Sequence, residues 1–178
     1  MSYFKKFPKM IYDMKNDGNY KLLPDILRRV KQRSAIKSGQ FIFDTYDVID
    51  GEKPEDIAYK WFGDAQLHWV ILMTNNVIDR YYDWPMNSVQ FQEFLEDKYS
   101  NPDGIHHYEL TKDSGILTPQ GPSDYSHKVE VTSDTVNASS ISNREYEERE
   151  QDKKRSIRLL NQKFLPAFIE EFDNLIKE

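Results

Sequence analysis

GEKPEDIAYKWFGDAQLHWVILMTNN, residues 51–76, packs an acidic turn, two tryptophans, a histidine and a dense apolar run into one short stretch. It constrains the fold because the rest of the chain offers little to bury. Only 38% of the 178 residues are apolar and 30% are charged, yet 13% are aromatic. Eleven Tyr, ten Phe and three Trp demand burial, which a disordered chain does not provide. A small aromatic core with much polar surface follows, and such a chain completes its burial against partners.

The stretch divides by its punctuation. Pro54 suits a first helical turn, Glu55 and Asp56 are acids in that turn, and Ile57, Ala58, Trp61 and Phe62 share a stripe. Gly63 ends this helix and Asp64 caps the next segment. Periodicity alone leaves Trp69–Met73 as a buried strand or a buried helix. The Asp cap and the Asn75-Asn76 exit favour helix. Upstream, QFIFDTYDVIDG is rich in β-branched and aromatic residues and closes on Asp50-Gly51, a strand entering a tight turn.

The flanks are expected to be looser. Residues 1–23 read as an extended arm with an NDG turn, and a short helix is expected over 24–35. Asn87 and Gln90 make a capping box for a helix over 88–98. IHHYEL and HKVEV alternate as strands, and a strand over 105–110 is expected to close the small sheet of the centre. The polar connections TKDSGILTPQGPSDYS and TSDTVNASSIS are expected to be the mobile parts. From Ser142 onward the chain reads as helix, charged nearly all round, with Glu145–Arg149 and Glu150–Lys154 as i,i+4 pairs. Such a helix projects into solvent or bridges partners. Its second half is apolar at Phe164, Phe168, Phe172 and Leu175, with a kink or break near 161–166 at Pro166. The expected divisions are 1–38, an arm with a short helix; 39–110, the central module; 111–141, mobile loops with a short strand; and 142–178, a C-terminal helical segment.

Chemistry is constrained by what is missing. A net charge of −6 and a pI near 5.3 argue against neutralising nucleic-acid phosphates. There is no cysteine, so disulfides, thiolate catalysis and thiolate-bound metals are excluded. The N-terminus has no continuous apolar signal region and no run is long enough to span a bilayer, so no membrane partner is expected. The acids Asp44, Asp47, Asp50, Glu52, Glu55 and Asp56 lack calcium-loop spacing and read as turn and helix-start residues. Neighbouring His106 and His107 are expected on opposite faces of a strand, unable to chelate one metal. No nucleophile motif, phosphate loop or carboxylate in an apolar setting is legible, so no catalysis, metal or cofactor is expected. The aromatics at 81–84 suit stacking on sugar rings or anchoring a protein interface.

YDVIDGEKPEDIAYKWFGDAQLHWVILMTNN resembles a LysM module: Tyr46 and Val48 on a strand, Gly51 in the turn, Ile57 and Ala58 on the first helix, Asn75 ending the second. Glu52 stands where the usual Asp follows the Gly, and YYDWPMNSVQF replaces the usual second strand. Over most of the chain, IAYKWFGDAQLHWVILMTNNVIDRYYDWP is similar to the baseplate wedge protein 53 family of contractile-tailed bacteriophages, with Gly63-Asp64, Trp69, Asn75-Asn76, Tyr82 and Trp84-Pro85 as its motif. The N-terminal YFKKFPKMIYD with LPDILRRV, and the C-terminal REYEEREQDKKRSIRLLNQKFLPAFIEEFDNLI, also look like that family.

The resemblance implies an α+β fold: a small LysM-like strand–helix–helix centre, extra short strands, an N-terminal arm and C-terminal helices. It implies a structural subunit that clamps neighbouring wedges around the hub of a tail baseplate, in the virion and, during assembly, in the host cytoplasm. Its partners would be core wedge proteins, the lysozyme-like sheath-initiating subunit and the tail-tube initiator. The expected module core is Tyr46, Val48, Gly51, Ile57, Ala58, Trp61, Gly63, Asp64, Trp69 and Leu72. The expected contact face is Asn75, Asn76, Tyr81, Tyr82, Trp84 and Pro85, with Phe164, Phe168, Phe172 and Leu175 as C-terminal contacts. The alternative is a LysM-type module binding carbohydrate, such as peptidoglycan.

Overall fold

The computed structural model describes residues 3–30, 42–112 and 127–177, in a mixture of helices and short strands that makes the protein α+β. Two compact units are present, residues 1–85 with 154–178, and residues 86–153.

In the first unit, β1 (Lys9–Tyr12) and β2 (Lys21–Pro24) form an antiparallel hairpin. The Asp13 carboxylate ties the turn by accepting the N–H groups of Lys15, Asp17 and Gly18. The N-terminal residues are thus a paired hairpin rather than a bare arm. The helix expected over 24–35 is not formed at 25–30, and its remainder lies outside the described residues.

β3 (Phe43–Asp47) leads through a turn into α1 (Pro54–Phe62), a 3-10 turn at Ala65–Leu67 and α2 (His68–Thr74). Gly63 ends α1 with φ near +77°, and its N–H donates to the Tyr59 carbonyl at 2.9 Å. The Asp64 carboxylate then accepts the Gln66 N–H at 2.8 Å and starts the next turn. α2 buries Trp69, Val70, Ile71 and Thr74 in succession, so it is covered on several sides.

β3 pairs antiparallel with β7 (Ser156–Leu160), over a hundred residues downstream. This corrects the expectation that 105–110 closes the sheet, and the expectation of continuous helix after Ser142. SIRLL is too short to announce itself. It becomes a strand because Ile157, Leu159 and Leu160 are buried against α1 and α2. After β7 a 3-10 turn at Gln162–Phe164 opens α5 (Leu165–Leu175). The expected break near 161–166 is there, between β7 and α5, and Pro166 sits in the first turn of α5, where its missing N–H costs nothing, so it begins a helix and does not kink one.

Two apolar clusters hold this unit. Phe7, Leu67, Trp69, Val70, Leu160, Phe172 and Ile176 make one. Val48, Ile57, Ala58, Ile71, Trp84, Ile157 and Leu159 make the other. Trp69 lies 4.6 Å from Phe172 between ring centroids and 5.4 Å from Tyr3, so both ends of the chain meet at this indole.

In the second unit, α3 (Ser88–Lys98) begins with the expected capping box of Asn87 and Gln90. β4 (Ile105–Thr111) is the central strand between β5 (Lys128–Val131) and β6 (Ser139–Ser142). β6 lies inside a stretch expected as loop. Its serines carry no β signal, and pairing with β4 makes it a strand. Most of the other expected loop, 113–126, lies outside the described residues. α4 (Asn143–Arg155) follows β6 directly. It does not present charge all round: Glu147 and Gln151 are buried.

Candidate contact surface

The expected module core falls inside the first unit, held by a polar strut as well as apolar packing. Val48, Ile57, Ala58 and Trp69 are buried, while Tyr46, Trp61 and Leu72 are half-buried around them. Gly51 makes the left-handed turn after β3, with φ near +75°. Glu52, beside it, is 9% exposed and accepts the Tyr46 hydroxyl at 2.9 Å, the Ile49 N–H at 3.2 Å and the Lys60 ammonium at 2.5 Å. Burial alone would raise the Glu52 carboxyl. Lys60, the Ile49 N–H and the Tyr46 hydroxyl outweigh it and hold the group below its usual range. Burial and the neighbouring Glu52 push the Tyr46 hydroxyl up. The Glu52 carbonyl accepts the Trp84 indole N–H at 3.0 Å. Glu52 therefore joins β3, α1 and the 84 region, a role that its sequence neighbourhood of turn acids hides.

The expected contact residues separate by burial. Trp84 is 7% exposed and packs in the second cluster; Pro85 is half-buried. Asn75 is a strut, its amide donating to the Arg158 carbonyl at 2.8 Å and accepting the Arg158 N–H at 2.8 Å, which ties the end of α2 to β7. Asn76 is exposed and takes the left-handed conformation, φ near +57°, which Asn tolerates. Tyr81 and Tyr82 are exposed at 77% and 64%, joined by Ile78 at 82%.

The loop that carries them is braced by its own acids. Asp83 accepts the N–H groups of Ile78 and Asp79, each at 2.9 Å, and those two bonds hold its carboxyl below the usual range. Asp79 accepts the Tyr81 N–H at 2.8 Å, and Lys154 donates to the Tyr82 carbonyl at 2.6 Å. Arg80 lies 4.0 Å from Glu55. A groove of about 730 Å³ adjoins the loop, lined in part by Trp69, Leu72, Met73, Asn76, Val77 and Ile78. Three large apolar side chains are thus displayed on a fixed backbone beside an apolar groove, which suits anchoring a protein neighbour.

Of the C-terminal residues, Phe172 is buried and Phe168 packs on Trp69, 6.1 Å between ring centroids. Phe164 is 43% exposed and Leu175 half-buried. Ile176, four residues beyond Phe172, is buried in the first cluster; the expected stripe missed it by taking its last step of three, to Leu175.

The second unit is built on ions. Glu147, 5% exposed, accepts the Lys98 ammonium at 2.6 Å and the Tyr99 hydroxyl at 2.7 Å. Glu147 accordingly raises Lys98, while burial and then Glu147 raise Tyr99. One Arg149 guanidinium nitrogen donates to both Glu109 oxygens at 2.8 Å, and the other donates to Glu145 at 2.6 Å. Burial opposes ionisation of Glu109, but Arg149, His107 and Lys128 hold its carboxyl below the usual range. His106 and His107 do not point apart. The register shifts between Ile105 and His107, a β-bulge, and brings their Nδ1 atoms within 2.8 Å. Among the described residues no group of three or more His, Cys, Asp or Glu is placed to hold a metal, and no helix is long and apolar enough to cross a membrane.

A model of the base plate wedge protein 53 family matches residues 4–115. The chain is also similar to the baseplate wedge protein gp53 of Enterobacteria phage T4, 30% identical over 82 residues, a segment covering 46% of this chain and 42% of that relative. The aligned region thus spans less than half of that relative's length. With more than half of its residues inside the family match, a span that holds Trp69 and the braced 78–83 loop, this chain belongs to the base plate wedge protein 53 family.

Proposed function

We propose that the protein is a structural, non-catalytic subunit of a contractile phage tail baseplate that clamps neighbouring wedges together around the hub. Its partners would be core wedge proteins, the lysozyme-like sheath-initiating subunit and the tail-tube initiator. It would act in the virion, after assembly in the host cytoplasm. Family membership supports the baseplate setting. The observation that carries the clamp is the loop of Ile78, Tyr81 and Tyr82, exposed yet held by Asp79 and Asp83. A pre-fixed backbone loses little entropy on docking, so its aromatics convert burial into affinity. The test is a Tyr81→Ala/Tyr82→Ala double variant, which touches no buried cluster. It should fold normally and fail to co-purify with wedge subunits. Undiminished co-purification overturns this assignment of the contact face.

Carbohydrate binding is the second reading. It rests on a separate groove of about 560 Å³ lined by Ile49, Gly51, Glu52, Glu55, Tyr59 and Lys60, with Tyr59 66% exposed as a stacking platform. Titration with N-acetylglucosamine oligomers should change tyrosine or tryptophan fluorescence if this groove holds sugar; a flat response removes the reading.

A further inference from the structure

The β1–β2 hairpin is a two-stranded sheet, so each strand has a partner on one side only. The Asp25 N–H donates to the Pro8 carbonyl at 2.8 Å, and the register sets Lys9 opposite Pro24 and Ile11 opposite Leu22. Hydrogen-bonded and non-bonded pairs alternate along an antiparallel ladder. With Pro8 and Asp25 a bonded pair, Met10 with Leu23 and Tyr12 with Lys21 are bonded too. The N–H and C=O groups of Lys9 and Ile11 therefore point out of β1, and those of Leu22 and Pro24 point out of β2. Pro24 has no N–H, so the edge of β2 is blunted. The edge of β1 is complete, and its outward groups have no hydrogen-bond partner among the described residues.

An exposed apolar face lies against this edge. Side chains alternate along a strand, so the cross-strand pair Ile11 and Leu22 is turned away from half-buried Met10 and Leu23. Ile11 is 70% exposed, Leu22 60%, and Tyr20, in phase with Leu22, 69%. The charge around them is one-sided. Residues 3–30 hold seven Lys and Arg against three Asp, in a chain of net charge −6. Those acids are engaged locally: Asp13 and Asp17 accept backbone N–H groups of the turn, and Asp25 pairs with Arg28. Lys9, Lys15 and Lys21 are exposed and form no ion pair among the described residues. A second copy of the chain is a poor occupant, because joining two β1 edges gathers these lysines in one sheet with no free acid between them.

We infer that the open edge of β1 accepts one further strand, an extended acidic and apolar segment of a neighbouring protein. Its backbone pairs with the outward groups of Lys9 and Ile11. On its outer face an acidic side chain stands opposite Lys9, and an apolar one two residues along covers Ile11 beside Leu22. This contact is separate from the 78–83 loop, and it uses main-chain hydrogen bonds where that loop uses aromatic anchors.

The probe is a blocked peptide of about seven residues, with Glu and Val alternating on one face and Thr on the other; its control carries Lys for Glu. Spectra of backbone 1H–15N groups of the full chain are recorded with each peptide at millimolar concentration. The Glu peptide should shift the Lys9 and Ile11 amides and slow their exchange with solvent, while Met10 and Tyr12, already in the ladder, gain little protection. Added salt should weaken the effect, and the Lys peptide should produce none. Lys9→Glu should reverse the preference between the two peptides. Ile11→Pro, which removes an outward N–H that the hairpin ladder does not use, should abolish the response to the Glu peptide. Lys9→Glu alters only an exposed side chain, so it keeps the test decisive if Ile11→Pro perturbs the hairpin. No response at β1, equal responses to both peptides, or self-association of the chain through this edge overturns the inference. Because no wedge subunit enters the assay, its failure leaves the 78–83 contact face to be judged by its own variant.

Discussion

Trp69 in one unit and Glu147 in the other are equally hidden, each 5% exposed, and each sits where the elements of its unit converge. Around Trp69 are Phe7, Leu67, Val70, Leu160, Phe172 and Ile176, with Tyr3 and Phe168 at the margin. Around Glu147 are a lysine and a tyrosine hydroxyl, with further ion pairs along the same helix. One interior excludes water with apolar surface, a force largely indifferent to pH. The other aligns charges whose strength depends on protonation, salt and exact partners. The first unit gathers most of the aromatics, while the second buries Glu147 and Gln151 as well as Leu95 and Ile141. The difference teaches that a low apolar content need not mean a thin core everywhere.

The contrast can be broken most forcefully at Trp69. Trp69→Ala should cost about 3–5 kcal/mol by deleting the indole that gathers three aromatic neighbours. A denaturant midpoint within error of wild type would show that the first unit does not depend on this cluster.

Glu147→Ala should cost less, about 1–3 kcal/mol, by leaving the Tyr99 hydroxyl and Lys98 without their acceptor. The loss should be partly rescued in Glu147→Gln, which still accepts. Equal stability of Ala and wild-type proteins would make the ionic interior ornamental.

Acid sharpens the comparison further. Glu52 and Glu109 both have carboxyls lowered in the folded state. Their stabilisation is therefore present above the unfolded glutamate range, near about 4.3, and is lost as pH falls through their folded values. Equilibrium unfolding at a series of acidic pH values should show this loss, and Glu52→Gln or Glu109→Gln should each flatten the slope. An unchanged slope in both variants would remove these carboxylates from the account.

Gly63→Ala should give the smallest effect, about 1 kcal/mol, because no atom within 4 Å meets the added methyl and only the left-handed backbone resists it. A cost well above that, read from the thermal midpoint, would mean the α1–α2 turn carries more than a conformational preference.

Much of the centre was legible because its signals are local. Pro54, Gly63, Asp64 and the Asn87–Gln90 box place α1, α2 and α3 by satisfying or relieving nearby backbone groups, and these act the same in any surroundings. The apolar run at Trp69–Met73 likewise announced a buried element. Trp84 was harder: beside Tyr81, Tyr82 and Pro85 it reads as surface, and only its packing in the second cluster and its bond to the Glu52 carbonyl turn it inward. The same holds for Glu52, one acid among six by composition and a buried strut by contact.

What the amino-acid sequence determined by itself is the set of caps, turns and stripes that make short helices, and the family motif they carry. Tertiary structure alone decided that Ser156–Leu160 is a strand, that Ser139–Ser142 pairs with β4, and that His106 and His107 face one another. Each of those outcomes is a pairing between residues far apart or across a bulge. Strand partners and registers are chosen by which surfaces are buried together, and no window of neighbouring residues contains that information.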